Sequence, residues 1–279
     1  MLKPSTALDD TPPAYGTVTV ALSGPRCAQA APCARVADEV RGKLAGRYLG
    51  WPGTPPEIVA AHLDLRGLSY DDYVRQARHK YKGNSVRDAL KAQRLGFYAK
   101  LFPYALHVPD VYDINHSLDV RCGRPMSEAY RRGVEELGGW PQGHMAWAEP
   151  ECPLHYDIWW GCFTREPGHR QGEVVTDERL VGYIRLRRIG NVCHYGQILG
   201  HGDFLRHGIM FLLHFEIMRW ILDPRLPCAQ GIEHLFYAGY FQGTSGLRFW
   251  KTKLLMAPRQ LMVASDPRSC PDPFGGAGW

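Results

Sequence analysis

Histidine and tyrosine residues that could move protons are concentrated between positions 194 and 240 of the sequence. His194 and Tyr195 are adjacent, and Tyr240 follows later in the chain. His201 and Asp203 are two residues apart, so the carboxylate could fix the tautomer of the imidazole. Histidine titrates near neutral pH and suits a general base, whereas tyrosine suits a general acid. We take these five as candidate catalytic residues, and the alternative for each is a structural side chain.

His201, Asp203 and His207 also form an HxDxxxH string, whose two imidazoles and carboxylate could bind iron or zinc. Three ligands so close in sequence would span a loop and a helix start, which is not typical of a facial triad. We therefore expect no metal, and a metal-dependent oxidase or hydrolase built on these residues is the alternative function.

The eight cysteines include no CxxC motif, and most occur singly. This spacing argues against a disulfide framework and against a structural zinc site. Free thiols are expected, and they fit a reducing compartment. The first ten residues contain no apolar signal region, and no apolar run is long enough to span a bilayer. We therefore expect a cytoplasmic protein that does not associate with membranes.

The periodicity of apolar residues predicts an alternation of helices and strands that becomes strand-rich after residue 147. Gly190-Asn191 is a predicted hairpin turn, and residues 207–222 are apolar on most faces, which indicates a buried helix. Strands are predicted at 17–22, 58–65, 156–164, 180–189, 192–199, 232–241 and 259–264. Helices are predicted at 34–49, 69–96, 110–137 with a break at 122–125, 207–222 and 245–255.

Two segments carry a resemblance to a known superfamily: GQILGHGDFLRHGIMFLLHFEIMRWIL at 196–222 and HLFYAGYFQGTSGLRFWKTKLLMAP at 234–258. With the order of elements, they resemble the GNAT acyltransferases. The basic stretch RHKYKGNSVRDALKAQRLG at 78–96 and the GLRFWK motif at 246–251 are similar to the Fem-type branch, which transfers amino acids from aminoacyl-tRNA. The resemblance implies an α/β (α+β) fold with a mixed, mostly antiparallel central sheet and helices on both faces.

The resemblance also implies where an acyl donor binds. The family's central strand is splayed and polarises the donor carbonyl with a backbone N–H group, here near Ile198 and Leu199. The donor phosphates would lie at the N-terminus of the following helix, where unpaired N–H groups attract anions. The corresponding donor-binding residues are Arg206, His207, Gly208, Ile209 and Met210.

This loop departs from the family pattern in two ways. Arg206 stands one place late, and Met210 replaces a final small residue. The departure weakens the prediction of free coenzyme A and leaves room for a carrier-protein thioester or an aminoacyl ester. The net charge of +5 is weak support for an anionic partner, and the cations at 75–94 either contact RNA or form a solvated helix face.

The predicted function is an N-acyltransferase that acts by direct attack, with general acid and base assistance, on the amine of a small molecule or amino acid. The donor is acyl-coenzyme A, carrier-protein thioester or aminoacyl-tRNA, and acyl-coenzyme A is the simplest. A non-catalytic binding module on the same scaffold is the further alternative. The predicted organisation is an N-terminal α/β segment with a mobile start (1–65), the transferase core (66–264) and a flexible tail (265–279).

Overall fold

A computed structural model describes residues 15–23, 27, 31–121 and 123–264, with the backbone alone for Pro32 and Arg41. The helices are α1 (Ala31–Lys43), α2 (Tyr70–His79), α3 (Asn84–Arg94), α4 (Val108–His116), α5 (Val134–Leu137), α6 (Ile209–Ile221) and α7 (Ser245–Lys253). The strands are β1 (Thr17–Val20), β2 (Leu49–Gly50), β3 (Ala60–Asp64), β4 (Tyr98–Leu101), β5 (Val120–Arg121), β6 (Arg124–Pro125), β7 (His155–Arg165), β8 (Arg170–Gln171), β9 (Val174–Val175), β10 (Glu178–Ile189), β11 (Val192–Gly200), β12 (His234–Gly239) and β13 (Ala257–Val263).

One central sheet organises these elements, and it confirms the predicted fold class. Its strands run in the order β1-β13-β3-β12-β11-β10-β7-β4, with β2 attached beside β13. Pairs β1–β13, β2–β13 and β11–β12 are parallel, and the remaining pairs of this sheet are antiparallel. Helices α2, α3 and α6 pack on one face, which we call the α6 face. Helices α1 and α4 pack on the other, which we call the α1 face.

Helix α6 and the β10–β11 hairpin form as their sequences predict. Nine of the thirteen residues of α6 are buried, as an all-round apolar helix requires. The hairpin turns at Gly190 and Asn191, pairing Ile189 with Val192. Gly190 has φ 59°, and a Cβ there would lie 2.1 Å from the carbonyl oxygen of Ala21. Only glycine fits at this position, because the backbone of Ala21 and Leu22, which follow β1, lies directly against the turn.

Helix α2 begins where it was predicted to begin, whereas strand β4 and the residues after α4 differ from the prediction. The hydroxyl of Ser69 accepts a hydrogen bond from the Asp72 backbone N–H, an N-cap in which Asp71 and Asp72 complement the helix dipole. Strand β4 was not predicted, because a segment of four residues shows little periodicity. Its strand conformation comes from antiparallel pairing with β7. The first part of the predicted helical region 110–137 ends at His116, and a β5–β6 hairpin lies at its predicted break. The predicted restart forms only as a short turn at Glu128–Tyr130 and as α5.

The N-terminal segment contributes strands to the central sheet. Strand β3 lies between β12 and β13, and Ala61 pairs with Tyr237. Strand β1 completes the same edge by pairing with β13. The 1–65 segment and the core therefore share one sheet, while most of the predicted mobile start and the predicted tail lie outside the described residues.

The longest helices in the described part of the chain, α1 and α6, have 13 residues each. A helix needs about 20 apolar residues to cross a bilayer. No helix among the described ranges meets that requirement.

Candidate active site

Strands β11 and β12 pair over four residues and then separate. The parallel ladder joins Val192–Tyr195 to His234–Tyr237, and β11 continues to Gly200 with no ladder partner in β12. On its other edge β11 stays paired with β10 through Gly200. The two strands therefore leave a cleft that starts beside Tyr195, and the predicted carbonyl-binding residues Ile198 and Leu199 lie along it.

A β-bulge lies at the start of this cleft. Leu186 pairs with Tyr195 and Ile184 pairs with Ile198, so Gly196 and Gln197 together oppose Arg185. A bulge of this kind bends the strand and redirects its backbone groups. Its position, directly after the last residue paired with β12, identifies residues 196–199 as the stretch whose N–H groups could turn toward a bound carbonyl.

Aromatic side chains surround the cleft on the α6 face. The ring of Tyr237, the last paired residue of β12, lies 5.9 Å from Trp250 of α7. Trp250 lies 6.5 Å from Phe211 in the first turn of α6. The ammonium of Lys253 is 5.3 Å from the Phe211 ring and 4.8 Å from that of Phe249. The cleft thus opens among aromatic rings with a cation at their edge.

The connection between α2 and α3 adds another ring to this group. Tyr81 and Lys82 have φ values of 46° and 56°, a left-handed conformation that non-glycine residues rarely adopt. The strained turn sets the ring of Tyr81 edge-on against Phe249, 4.7 Å away. We call Tyr81, Phe211, Phe249 and Trp250 the aromatic rim. Tyr81 is 41% and Phe249 44% exposed, so this end of the rim is open to a ligand.

Beneath the rim, Tyr195 is held in a buried hydrogen-bonded chain. Its hydroxyl lies 3.0 Å from Nδ1 of His214, whose Nε2 lies 2.7 Å from the hydroxyl of Tyr73. All three side chains are fully buried. Burial lowers the pKa of His214 to about 3 and raises the pKa of both tyrosines, so the chain is neutral. Tyr195 is therefore a core residue that braces α6 and α2.

Tyr240 lies at the end of β12 and is half-buried. Its hydroxyl lies 3.1 Å from Oγ1 of Thr252 in α7. Nearby, the buried Lys251 donates to the carbonyl oxygens of Gly239 and Gln242, at 2.5 Å and 3.0 Å. Lys251 thus fixes the loop that follows β12, and it explains the basic position in the GLRFWK motif.

The α1 face below the bulge carries a cluster of opposite charges. Arg185 donates to both carboxylate oxygens of Asp157. Arg187 donates to Oε2 of Glu39 at 2.7 Å, which ties β10 to α1. Alternation along β10 positions both arginines on this face, but the sequence alone did not identify their partners.

His194 also faces the α1 side, opposite to Tyr195. Its ring stacks on Phe236 at 4.5 Å, and its Nδ1 has no hydrogen-bond partner among the described residues. Burial, with Arg187 and Arg185 nearby, lowers the pKa of His194 to about 3. The imidazole is therefore neutral, and its Nδ1 is an unsatisfied polar atom that the surrounding side chains enclose.

A cavity of about 340 Å³ lies on the same face, near the edge of the sheet. That volume suits a small molecule. Asp157 and Trp159 form part of its floor, and Trp159 also contacts the Arg185 guanidinium at 5.4 Å. The cavity is lined, among others, by Arg35, Tyr104, Trp147, Glu151, Asp157 and Trp159.

His201 occupies a capping position at the end of β11. Its Nδ1 accepts from the backbone N–H of Asp203 at 3.3 Å, and its Nε2 lies 3.4 Å from Asp113 of α4. The Asp203 carboxylate is 3.9 Å from the ring and its side chain is 86% exposed. Asp113 is thus the nearer carboxylate to the imidazole, and the role of His201 as a base held by Asp203 stays a prediction.

The predicted phosphate site at the start of α6 is covered by α3. Gly208 has φ 84°, and a Cβ there would lie 2.3 Å from the Asp88 carbonyl oxygen. Gly208, Ile209 and Met210 are all buried, so their backbone groups are not available to a phosphate. Arg206 and His207 lie outside this contact, and Arg206 is exposed. The predicted phosphate position is closed because α3 packs against the start of α6, and no local sequence motif reveals that packing.

The ligand atoms of His201, Asp203 and His207 do not form a metal-binding group. Among the described residues, the group whose ligand atoms do meet consists of Cys27, Cys33, Cys152 and His155. These cysteines are far apart in sequence, and the fold joins the two distant stretches that carry them. The sequence signal was a CxxH spacing at 152–155, which a search for CxxC overlooks.

Comparison with known proteins finds similarity at the level of fold. No protein-family model and no curated protein sequence matches the chain. FemX aligns with a TM-score of 0.47 and 7% identity, over 73% of this chain and 59% of FemX. A tandem GNAT protein from the clavulanic acid biosynthesis pathway aligns with a TM-score of 0.37 and 14% identity, over 88% of this chain and 60% of that protein. The chain therefore spans about three-fifths of the length of each, and its activity is inferred from its own residues.

Proposed function

We propose that the protein is an N-acyltransferase that binds its donor in the cleft between β11 and β12 and its amine acceptor on the α1 face. The separation of the two parallel strands beyond Tyr195 and Tyr237 carries this proposal. The aromatic rim borders this separation on the α6 face, and the cavity lies on the α1 face beneath β7, one strand beyond β10. Donor and acceptor can meet at the separation without a covalent enzyme intermediate.

The chemistry is a direct displacement. The neutral amine nitrogen attacks the donor carbonyl carbon, and backbone N–H groups of residues 196–199 stabilise the oxyanion that develops. The carbon–sulfur or carbon–oxygen bond then breaks. Tyr240 donates a proton to the leaving group, and the tyrosinate that forms takes up the proton released by the amine nitrogen, so the enzyme returns to its starting state.

His194 accepts a hydrogen bond from the amine. Its low pKa keeps the imidazole unprotonated, so its free Nδ1 orients an N–H group rather than competing for the proton. Asp157 and Glu39 are paired with Arg185 and Arg187, so this cluster carries no net charge toward the acceptor.

The donor we infer carries its acyl group on a phosphorylated adenosine nucleotide, as coenzyme A and aminoacyl-tRNA both do. The aromatic rim offers rings that can stack on a base, and Lys253 lies beside them for a phosphate. The covered N-terminus of α6 disfavours the phosphate position that the family resemblance implies. A carrier-protein thioester lacks the adenine that the rim would bind.

The test compares donors in parallel. Acetyl-coenzyme A, longer acyl-coenzyme A and bulk aminoacyl-tRNA are each titrated with the purified chain, and amine pools are then screened for acylated products by mass spectrometry. Tyr240→Phe should reduce turnover by about tenfold to a hundredfold with little change in donor affinity. Tyr112→Phe is the matched control, because that tyrosine lies on α4 and stacks on His116.

The salt dependence of donor affinity distinguishes the two donor classes, because binding of tRNA through several phosphates weakens steeply as the salt concentration rises. Phe249→Ala should weaken either nucleotide donor, because it removes one ring of the rim. If no donor of either class binds the folded chain and no amine is acylated, the acyltransferase function is excluded.

A further inference from the structure

Three cysteines and one histidine converge where the N-terminal segment meets the start of β7. The ligand atoms of Cys27, Cys33, Cys152 and His155 all lie within 4.8 Å of one another. Nδ1 of His155 is 3.2 Å from Sγ of Cys27 and 3.8 Å from Sγ of Cys152. In tetrahedral zinc sites with Zn–S of about 2.3 Å and Zn–N of about 2.0 Å, neighbouring ligand atoms lie about 3.6–3.8 Å apart.

From this arrangement we propose that the chain binds one structural Zn²⁺ ion through Cys27, Cys33, Cys152 and His155. Cys₃His is one of the ligand sets that closed, tetrahedral zinc sites use. Four protein ligands leave no open position for substrate or water, so the ion has no part in the proposed acyl transfer. Soft thiolates favour zinc over magnesium, calcium or manganese.

The surroundings of His155 support a ligand role. Its Nε2 donates to the carbonyl oxygen of Leu22 at 2.8 Å, which leaves the lone pair of Nδ1 directed at the three sulfur atoms. Zinc-bound histidines generally donate their second ring N–H to such a carbonyl, and the contact fixes both the tautomer and the orientation of the ring.

The backbone around Cys152 supports a thiolate. The backbone N–H groups of Leu154 and His155 donate hydrogen bonds to the Cys152 sulfur. These amides belong to the CPLH turn that carries two of the four ligands. The turn therefore presents a sulfur and an imidazole to the same point while its own backbone stabilises negative charge on the sulfur.

A disulfide explains the cluster less well. Cys33, Cys152 and His155 are each at most 5% exposed, and Cys27 is half-buried. Pairing two of the three cysteines would leave one buried thiol and would assign no role to the directed imidazole. A single cation bound by all four groups satisfies each of them.

The site joins two elements that border the cavity. Cys33 is in the first turn of α1, which contributes Arg35 and Val36 to the cavity wall. Cys152 ends the loop that contributes Trp147 and Glu151. Zinc would thus hold α1 and this loop against β7, and its loss would loosen the cavity rather than the cleft between β11 and β12.

Metal analysis of the full chain tests the proposal. After expression with zinc and gel filtration in reducing buffer, about one zinc per chain is expected. Cys152→Ser and His155→Gln should each lower the zinc content at least tenfold. Cys228→Ser is the matched control and should retain zinc, because this half-buried cysteine lies outside the cluster.

Two further measurements on the wild-type protein do not depend on the folding of variants. Co²⁺ replacement should give thiolate-to-metal charge-transfer absorption and the intense visible bands of a tetrahedral site. Removing zinc with a chelator should make the three cluster thiols reactive. Folded protein with less than about a tenth of a zinc per chain in zinc-containing buffer, or full zinc content in both ligand variants, would overturn the proposal.

Discussion

At the scale of single residues, the adjacent side chains of His194 and Tyr195 on β11 differ in whether their polar atoms are hydrogen-bonded. Tyr195 finds a partner in His214, whereas His194 is buried with an unsatisfied Nδ1. An unpaired buried polar atom costs about 1–3 kcal/mol, and a protein tolerates that cost where a ligand later supplies the missing hydrogen bond. This contrast is the reason why the proposed acceptor contact is His194 rather than Tyr195.

Replacing His194 with phenylalanine should therefore separate stability from activity. His194→Phe removes the unsatisfied nitrogen and keeps the stacking on Phe236, so the free energy of unfolding should rise by about 1 kcal/mol. Turnover should fall about tenfold, the value of one hydrogen bond to the amine. Urea denaturation and steady-state rates measure the two effects.

His194→Asn is the conservative control, because its amide oxygen can occupy the position of Nδ1 and should restore much of the rate. A His194→Phe variant that is more stable and fully active would assign His194 to the core alone.

At the scale of elements, the contact between α3 and α6 decides what the loop after β11 can do. Gly208 caps α6 in a left-handed conformation and packs against the backbone of α3 at Asp88. The Nζ of Lys91 donates to the backbone carbonyl oxygen of Arg206 at 3.1 Å, while the Arg206 side chain stays outside the contact and is exposed. The glycine that the family resemblance assigned to phosphate binding thus serves helix packing.

Substituting this glycine should destabilise the fold rather than weaken donor binding specifically. Gly208→Ala combines a left-handed conformation, costing about 1–2 kcal/mol, with a steric clash costing about 1–3 kcal/mol. Its free energy of unfolding should fall by about 2–5 kcal/mol in urea denaturation. Gly196→Ala is the stability control, since a Cβ there would lie 3.7 Å from its nearest neighbour and the residue is not in the left-handed region.

A Gly208→Ala protein of unchanged stability but lost donor affinity would restore the original interpretation of the loop. Arg206→Glu provides the complementary measurement. Because Arg206 is exposed and lies outside the packed contact, the charge reversal should change donor affinity only modestly.

At the scale of the whole molecule, buried histidines make stability depend on pH. Burial is the main cause that lowers the pKa of His194 and His214 to about 3 and of His62 to about 4. The unfolded chain binds protons at these positions near pH 6.5, while the folded chain does not. Their stabilising contribution is complete above pH 6.5 and is lost as the pH falls toward 4.

As the pH falls from 7 to 5, each of these histidines should lower the free energy of unfolding by about 2 kcal/mol, because one pKa unit corresponds to about 1.4 kcal/mol. His169 opposes the trend in part, because its hydrogen bond to Asp110 raises its pKa. Denaturation midpoints across this pH range measure the slope. His194→Phe should reduce the loss by the share of one histidine, and an unchanged slope in that variant would contradict the assignment.

Sequence patterns by themselves determined most of the elements of this protein. The apolar helix α6, the Gly190-Asn191 hairpin and the Ser69 cap were predictable because each depends on residues within one or two turns of chain. The same local patterns, together with the superfamily resemblance, predicted the mixed sheet and the strand on which the candidate site lies.

Tertiary structure decided which residues meet. His201 was predicted as a base held by Asp203, and in the structure its Nε2 lies beside Asp113 while its Nδ1 accepts from the Asp203 backbone N–H. The ion pairs of Asp157 and Glu39 with Arg185 and Arg187 carried no local motif. The cysteine–histidine cluster joins positions 27 and 33 to positions 152 and 155. Spacing in sequence specifies geometry only within one element, whereas these groups are brought together by the burial of α1 and the loop before β7 against the sheet.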